Sequence, residues 1–299
     1  VASRDGNLYA LDPRTKYVFW QRTVGRFGDR ISNLEVRADE ILLGTVTGEV
    51  TAIAASSGKS RWIARLGSSI LAAPAASPDG KWVAVATTAG WVYLLSNENG
   101  SIAAKFSTEN EVVAKPLFAG NLLIVGSTDK YVYGFSQVKQ AVELERELSD
   151  DIAFDPALDG NAVLFATIDG SVYRLDAGTF EVLWSQPLGQ PIATPPAPSA
   201  AGIHVGTGTG KVITLDRRTG EVAWEATAGK GAVTGMALSN LRIYASLDTG
   251  KIVAIDMETR KVAWDYQSDM SLAAPPLLSE GILYLGGVSG KIQYLEVLE

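Results

Sequence analysis

Asp169-Gly170-Ser171-Val172-Tyr173-Arg174-Leu175-Asp176 is the stretch from which the rest of the chain can be read. It returns as Thr209-Gly210-Lys211-Val212-Ile213-Thr214-Leu215-Asp216 and as Thr249-Gly250-Lys251-Ile252-Val253-Ala254-Ile255-Asp256. Near the start it reads Asp5-Gly6-Asn7-Leu8-Tyr9-Ala10-Leu11-Asp12. The glycine recurs at positions 6, 48, 90, 170, 210, 250 and 290, with Lys130 in the fourth place. Successive spacings are 42, 42 and then 40 throughout. Eight registered copies of one period are the mark of a repeat architecture.

Fourteen residues after the glycine stands a tryptophan in five copies: Trp20, Trp62, Trp184, Trp224 and Trp264. Ala104 and Leu144 take its place in copies three and four. Between glycine and tryptophan lies a turn such as Asp216-Arg217-Arg218-Thr219-Gly220, where Asp and Thr cap with their side chains and Gly supplies a positive φ. Each full copy therefore predicts four short strands, A to D. In copy six these are Ile192–Ser199, Gly202–Gly206, Lys211–Leu215 and Glu221–Glu225. Strands B and C are apolar at nearly every position, as in Ala162-Val163-Leu164-Phe165-Ala166, which predicts burial on both faces. No segment keeps a helical apolar period, so almost no helix is expected. Proline recurs in strand A at Pro74, Pro116, Pro156, Pro196 and Pro276, with Met236 in the remaining place. Proline lacks an N–H, so strand A is expected at a sheet edge. Four antiparallel strands in a 40-residue period predict an all-β fold, a β-propeller of four-stranded blades. The chain opens on Val1-Ala2-Ser3, expected to be the tail of a strand B, and 30 strands are counted in all. The expectation is eight repeats in one domain over residues 1–299, with residues upstream of Val1 missing from the seam; a seven-bladed ring with two spare strands is the alternative.

Composition narrows the function. The 299 residues carry 33 acids against 26 bases and no cysteine. The acidic balance argues against nucleic acid as the main partner, and no apolar run reaches the roughly 20 residues of a membrane-spanning helix. Without cysteine there is no disulfide framework, no thiolate zinc site and no thiol nucleophile.

The pattern Gly-x-x-Tyr-x-Leu-Asp-x-x-Thr-Gly-x-x-x-Trp resembles the repeat of the PQQ-like β-propellers, and the resemblance covers essentially the whole chain. WD-type propellers carry a Trp-Asp pair, matched here only by Trp264-Asp265. The superfamily has a quinoprotein dehydrogenase branch and a non-enzymatic branch typified by the outer-membrane assembly lipoprotein BamB. The resemblance to the second branch implies a scaffold for protein partners in an extracytoplasmic compartment. It also implies that the five tryptophans pack between adjacent blades. The dehydrogenases hold quinone and calcium over an adjacent cysteine pair, which this chain lacks. No cofactor, metal or catalytic residue is therefore expected.

The remaining motifs have plain structural readings. His204, the one histidine, lies between Ile203 and Val205 in a strand B and reads as structural; no Ser–His–Asp set is placed around it by sequence. Gly206-Thr207-Gly208-Thr209-Gly210-Lys211 lacks the spacing, the Ser or Thr after lysine and the following helix of a phosphate loop. Asp150, Asp151 and Asp155 do not follow a calcium-loop spacing. Asn99-Gly100-Ser101 is a glycosylation triplet that a turn also explains.

Function is thus expected in loops. The D-to-A segment Gly25-Arg26-Phe27-Gly28-Asp29-Arg30 is long, basic and aromatic, and Arg26 and Phe27 are of the types favoured at binding hot spots. Strand order places B-to-C turns and D-to-A loops on one face, with Asp129, Asp150, Asp151 and Asp169 among its acids. A partner's basic segment, or a cation, is expected at this acidic mouth. The C-to-D turns of the other face carry bases such as Arg14, Lys59, Arg217 and Arg260. The sequence therefore reads as a monomeric, non-catalytic protein-binding propeller with no nucleic-acid partner and no membrane insertion of its own. A ligand-sensing extracytoplasmic domain of a larger receptor or kinase is the alternative, and a quinone-dependent dehydrogenase the third.

Overall fold

The computed structural model describes every residue except Arg4, Asp5, Pro13, Arg26, Phe27, Gly28, Ala273, Ser289, Leu298 and Glu299. By internal contacts the chain falls into two compact units, Val1–Pro156 with Ala177–Phe180, and Ala157–Asp176 with Glu181–Glu299. Each holds four sheets, and no helix occurs among the described residues.

The first unit opens with a two-stranded sheet of β1 (Asn7–Leu11) and β2 (Val18–Thr23). Three four-stranded sheets follow. They are β3 (Glu35–Arg37), β4 (Glu40–Gly44), β5 (Glu49–Ala54) and β6 (Ser60–Arg65); then β7 (Ala75–Ala76), β8 (Trp82–Ala86), β9 (Trp91–Ser96) and β10 (Ile102–Ser107); then β11 (Leu117–Ala119), β12 (Leu122–Gly126), β13 (Tyr131–Ser136) and β14 (Ala141–Glu147). The second unit has β15 (Ala157–Asp159), β16 (Ala162–Ala166), β17 (Ser171–Asp176) and β18 (Val182–Pro187); then β19 (Ala197–Ser199), β20 (Gly202–Gly206), β21 (Lys211–Leu215) and β22 (Val222–Thr227); then β23 (Val233–Leu238), β24 (Arg242–Leu247), β25 (Lys251–Asp256) and β26 (Lys261–Gln267). A three-stranded sheet of β27 (Leu277–Ser279), β28 (Ile282–Gly286) and β29 (Ile292–Glu296) closes it. Neighbouring strands are antiparallel throughout, in sequence order.

Strands B and C are buried as expected: β4 and β16 are buried at every position. Their apolar side chains join one sheet to the next. Ala84, Leu94 and Phe106 pack with Phe118, Leu123 and Phe135 to seal β7–β10 against β11–β14. Val212 and Ala226 do the same with Val233, Ile243 and Val253 in the second unit. The B-to-C turns need a left-handed residue at the repeat glycine. Gly170 has φ +90°, and a Cβ there would collide with the Gln190 carbonyl oxygen. Lys130 takes the same conformation, at φ 76°, despite its side chain.

Strand A differs from expectation. In copy six it spans only Ala197–Ser199, not Ile192–Ser199, with a separate bridge from Ile192 to Thr207. The cause is Pro195-Pro196, which has no N–H to donate. Each repeat proline sits one residue before its strand: Pro74, Pro116, Pro156, Pro196 and Pro276 precede β7, β11, β15, β19 and β27. Where Met236 replaces proline, β23 runs six residues and includes it. Strand D of this copy is also shifted, to Val222–Thr227. Strand A is nonetheless an edge of every four-stranded sheet, and β7 lies beside β11, β15 beside β19 and β23 beside β27. Ala2 bridges Leu8 antiparallel, so Val1–Ser3 takes the strand-B place beside β1.

Candidate functional site

The acids expected to line a mouth are placed in turns that they help to build. Asp129, between β12 and β13, accepts from the Tyr131 amide at 2.9 Å, the Tyr133 hydroxyl at 2.9 Å and the Glu109 amide at 3.0 Å. That last bond ties a B-to-C turn to the preceding D-to-A loop. Burial, reinforced by Asp129, pushes the Tyr133 phenol well above its usual range. Asp150, on the β14–β15 connection, pairs with Lys130 at 3.2 Å, and Asp151 follows it, half-buried. Within the first unit the structure therefore brings Asp129, Lys130 and Asp150 together at one end of the sheets. Asp169 is exposed in the second unit and caps its own turn, accepting from Thr167 at 2.7 Å and the Ser171 amide at 3.0 Å. Arg26 and Phe27 lie outside the described residues. Asp155, weighed with Asp150 and Asp151 as a calcium ligand, accepts the Lys115 amide at 2.7 Å.

The tryptophans sit on strand D with their rings against the next sheet. Trp20 Nε1 donates to the Ala55 carbonyl at 2.8 Å, Trp62 to Asn97 at 2.7 Å and Trp184 to Arg217 at 3.1 Å. Each acceptor begins the next C-to-D turn, and each ring covers that turn's glycine. A Cβ on Gly58, Gly100 or Gly220 would stand 2.7, 2.6 and 2.6 Å from Trp20, Trp62 and Trp184 respectively. Trp224 lies near His204 and Trp264 near Tyr244, with ring centroids 6.2 and 5.9 Å apart.

Sequence inspection missed what replaces tryptophan in copy four. Leu144 leaves space, and Phe180 occupies the glycine place of the next turn, fully buried at φ 58°. Opposite Leu144, Gly134 removes the side chain that would obstruct it: a Cβ there would meet Phe180 Cζ at 3.0 Å and Leu144 Cβ at 3.1 Å. Arg146 Nε donates to the Phe180 carbonyl at 3.0 Å. The aromatic knob comes from the opposite partner here. Also missed were the acids of the A-to-B turns. Asp159, its side chain fully buried, pairs with Arg174 at 2.7 Å and with Arg217. Burial raises its pKa, but the two guanidiniums outweigh that and hold it below the ordinary carboxylate value. Glu40 pairs with Arg61 at 3.2 Å and accepts from Asn97 Nδ2 at 3.0 Å. Arg217, counted by sequence among the bases of the C-to-D turns, is thus engaged.

His204 is fully buried, and burial lowers its pKa to about 4. Its Nε2 lies 2.8 Å from Ser199 Oγ and its Nδ1 2.8 Å from Thr214 Oγ1. A serine does stand beside the histidine, as the strand pairing of β19 with β20 brings it there, but the third member is a threonine hydroxyl rather than a carboxylate. His204 is enclosed in the sheet while Ser199 is half-buried, and the carboxylate that would hold the imidazole as a general base is replaced by the Thr214 hydroxyl. Among the described residues no group of three His, Asp or Glu side chains could hold a metal ion.

The comparisons with known proteins fit this arrangement. The family model described as outer membrane protein assembly factor BamB aligns four times, to residues 4–79, 46–143, 137–234 and 208–298. The chain belongs to the BamB family. The BamB crystal structure from Moraxella catarrhalis matches with a TM-score of 0.82 at 20% identity, over 98% of this chain and 92% of that one. The computationally designed Ika8 protein matches with a TM-score of 0.88 at 17% identity, over 99% and 92%. No curated protein matches in sequence. These similarities, with eight successive antiparallel sheets, make the fold a β-propeller of eight blades, and the PQQ-like resemblance read from the repeat holds. No helix among the described residues is long and apolar enough to cross a membrane.

Proposed function

We propose that residues 1–299 form a monomeric, non-catalytic scaffold domain that binds protein partners in outer-membrane protein assembly, on the periplasmic side of a bacterial envelope. The observation that carries this is the BamB family match, repeated from residue 4 to residue 298. The absence of cysteine and the enclosure of the one histidine support it, because neither a thiol nor an accessible imidazole is offered for catalysis. The five tryptophans are proposed as blade-docking residues, and the B-to-C and D-to-A ends of the sheets, with Asp129, Asp150 and Asp151 in the first unit and Asp169 in the second, as surfaces that receive a partner's basic segment.

Deleting the gene in its source organism should lower the amount of correctly assembled outer-membrane β-barrel proteins, and the wild-type gene should restore it. Unchanged barrel levels, or dye reduction by purified protein given quinone and calcium, would overturn the assignment. For the face, Asp150→Asn/Asp151→Asn should slow partner association and flatten its salt dependence, since screening acts on exposed charge. Asp129 and Asp169 are spared because their hydrogen bonds build their turns. An unchanged rate would remove this face from the account.

A further inference from the structure

The connection from β2 to β3 contains a buried carboxylate for which the fold has no use. Asp29 is 5% exposed; Oδ2 accepts a hydrogen bond from the Thr47 hydroxyl, and Oδ1 is buried with no partner. The repeat supplies its own control. In the sheet of β19–β22 the same turn has the same pair of threonines, Thr207 and Thr209, 3.0 Å apart, as Thr45 and Thr47 are here. There Thr209 donates to Gln190 Oε1 at 2.7 Å. A neutral amide oxygen therefore satisfies this turn, and the negative charge at Asp29 is surplus to it. A buried, half-satisfied carboxylate is costly unless a cation answers it.

A cavity of about 330 Å³ adjoins it, lined by Gly25, Thr47, Glu49 and Arg65. Asp29 lies against two of these walls: it accepts from Thr47, and a Cβ on Gly25 would stand 2.5 Å from its Oδ2. Glu49 pairs with Arg65 at 3.3 Å, and the Arg65 side chain is 80% exposed. Among the described residues, the cavity walls and the adjoining Asp29 carry two carboxylates and one guanidinium, which is already paired and solvated. The volume is about ten times that of one water, too roomy for a bare metal ion and of the size that takes an organic group.

We propose that this cavity binds an organic ammonium group, with Asp29 as its charge partner and the Thr47 hydroxyl and Glu49 beside it. The ammonium is either a free alkylamine or a lysine side chain presented by a protein. The proposal does not rest on the scaffold function. Isotope-labelled protein would be titrated with butylammonium chloride against sodium chloride at constant ionic strength. A second arm would use acetyl-Gly-Lys-Gly-amide. Saturable shifts at the Gly25 and Thr47 amides are expected in at least one arm. A response to the amine alone points to a free alkylamine and a stronger response to the peptide points to a protein lysine. Asp29→Asn keeps the acceptor for Thr47, as Gln190 does, and should weaken binding at least about tenfold while leaving the melting temperature unchanged or raised. No saturable shift in either arm, an undiminished response in Asp29→Asn, or equal displacement by sodium would overturn it. Should Asp29→Asn fail to fold, Glu49→Gln in the same titration decides: weaker binding reported at Thr47 upholds the site, and an unchanged response refutes it.

Discussion

Replacing Phe180 by Gly and Leu144 by Trp together should convert the fourth junction into the arrangement of Trp62 on Gly100. The single changes should each do harm. Phe180 is fully buried, and removing a buried phenylalanine side chain costs about 3–5 kcal/mol. Part of that is returned, because a non-glycine residue at φ 58° carries about 1–2 kcal/mol of left-handed strain that glycine relieves. The net loss for Phe180→Gly is therefore about 1–4 kcal/mol. Leu144→Trp alone drives an indole into the volume that Phe180 already fills, at about 1–3 kcal/mol for overpacking. In the double variant the indole enters the space that Phe180 vacates, and its Nε1 gains the carbonyl of Ala177, which holds the place Asn97 has before Gly100.

Measured as a double-mutant cycle in urea, the two changes should couple favourably by about 2 kcal/mol or more. Gly134→Ala adds a finer check. In the wild type its Cβ is squeezed between Phe180 and Leu144, so it should destabilise. In the double variant alanine would match Ala52, the residue opposite Trp62, and should be neutral or stabilising. Additive single effects, with no coupling, would refute the claim that Phe180 and the tryptophans play one packing role.

Gly220→Ala should cost more than Gly120→Ala: both have positive φ, but only the former meets a ring, Trp184, whereas nothing lies within 4 Å of the latter. Equal melting temperatures for the two variants would count against docking of Trp184. Asp159→Ala should lose about 3–5 kcal/mol, since it strands Arg174 beside an emptied buried position. His204 should make the fold acid-sensitive. Its pKa is about 4 when folded against 6.5 unfolded, so its stabilising effect is complete above pH 6.5 and lost as pH falls towards 4, by about 3 kcal/mol. Stability of His204→Gln should fall less over that window than that of the wild type, and parallel curves would exclude His204 as the cause.

The parts of the fold legible in sequence are those in which one residue type answers a local need. A left-handed turn selects glycine, a doubly buried strand selects Val, Ile and Leu, and both recur wherever the backbone recurs; Gly170 and β16 are examples. What could not be read depends on two residues far apart in the chain being solved jointly. Leu144 looked like a lost tryptophan because its compensation, Phe180, lies in the following repeat and occupies a place where the pattern wants glycine. Arg217 looked like a surface base because Asp159 stands one repeat earlier. Proline was legible as an edge marker, but its consequence for strand length was not, since the same missing N–H that bars a central strand also delays the start of an edge one. The candidate sites follow the same rule. Asp129 and Asp169 are acidic because turns accept amide protons there, so acid content alone overstated the charge available to a partner. Asp29 carried no such signal, and only its comparison with Gln190 in another blade separates a charge that the turn requires from one that it does not.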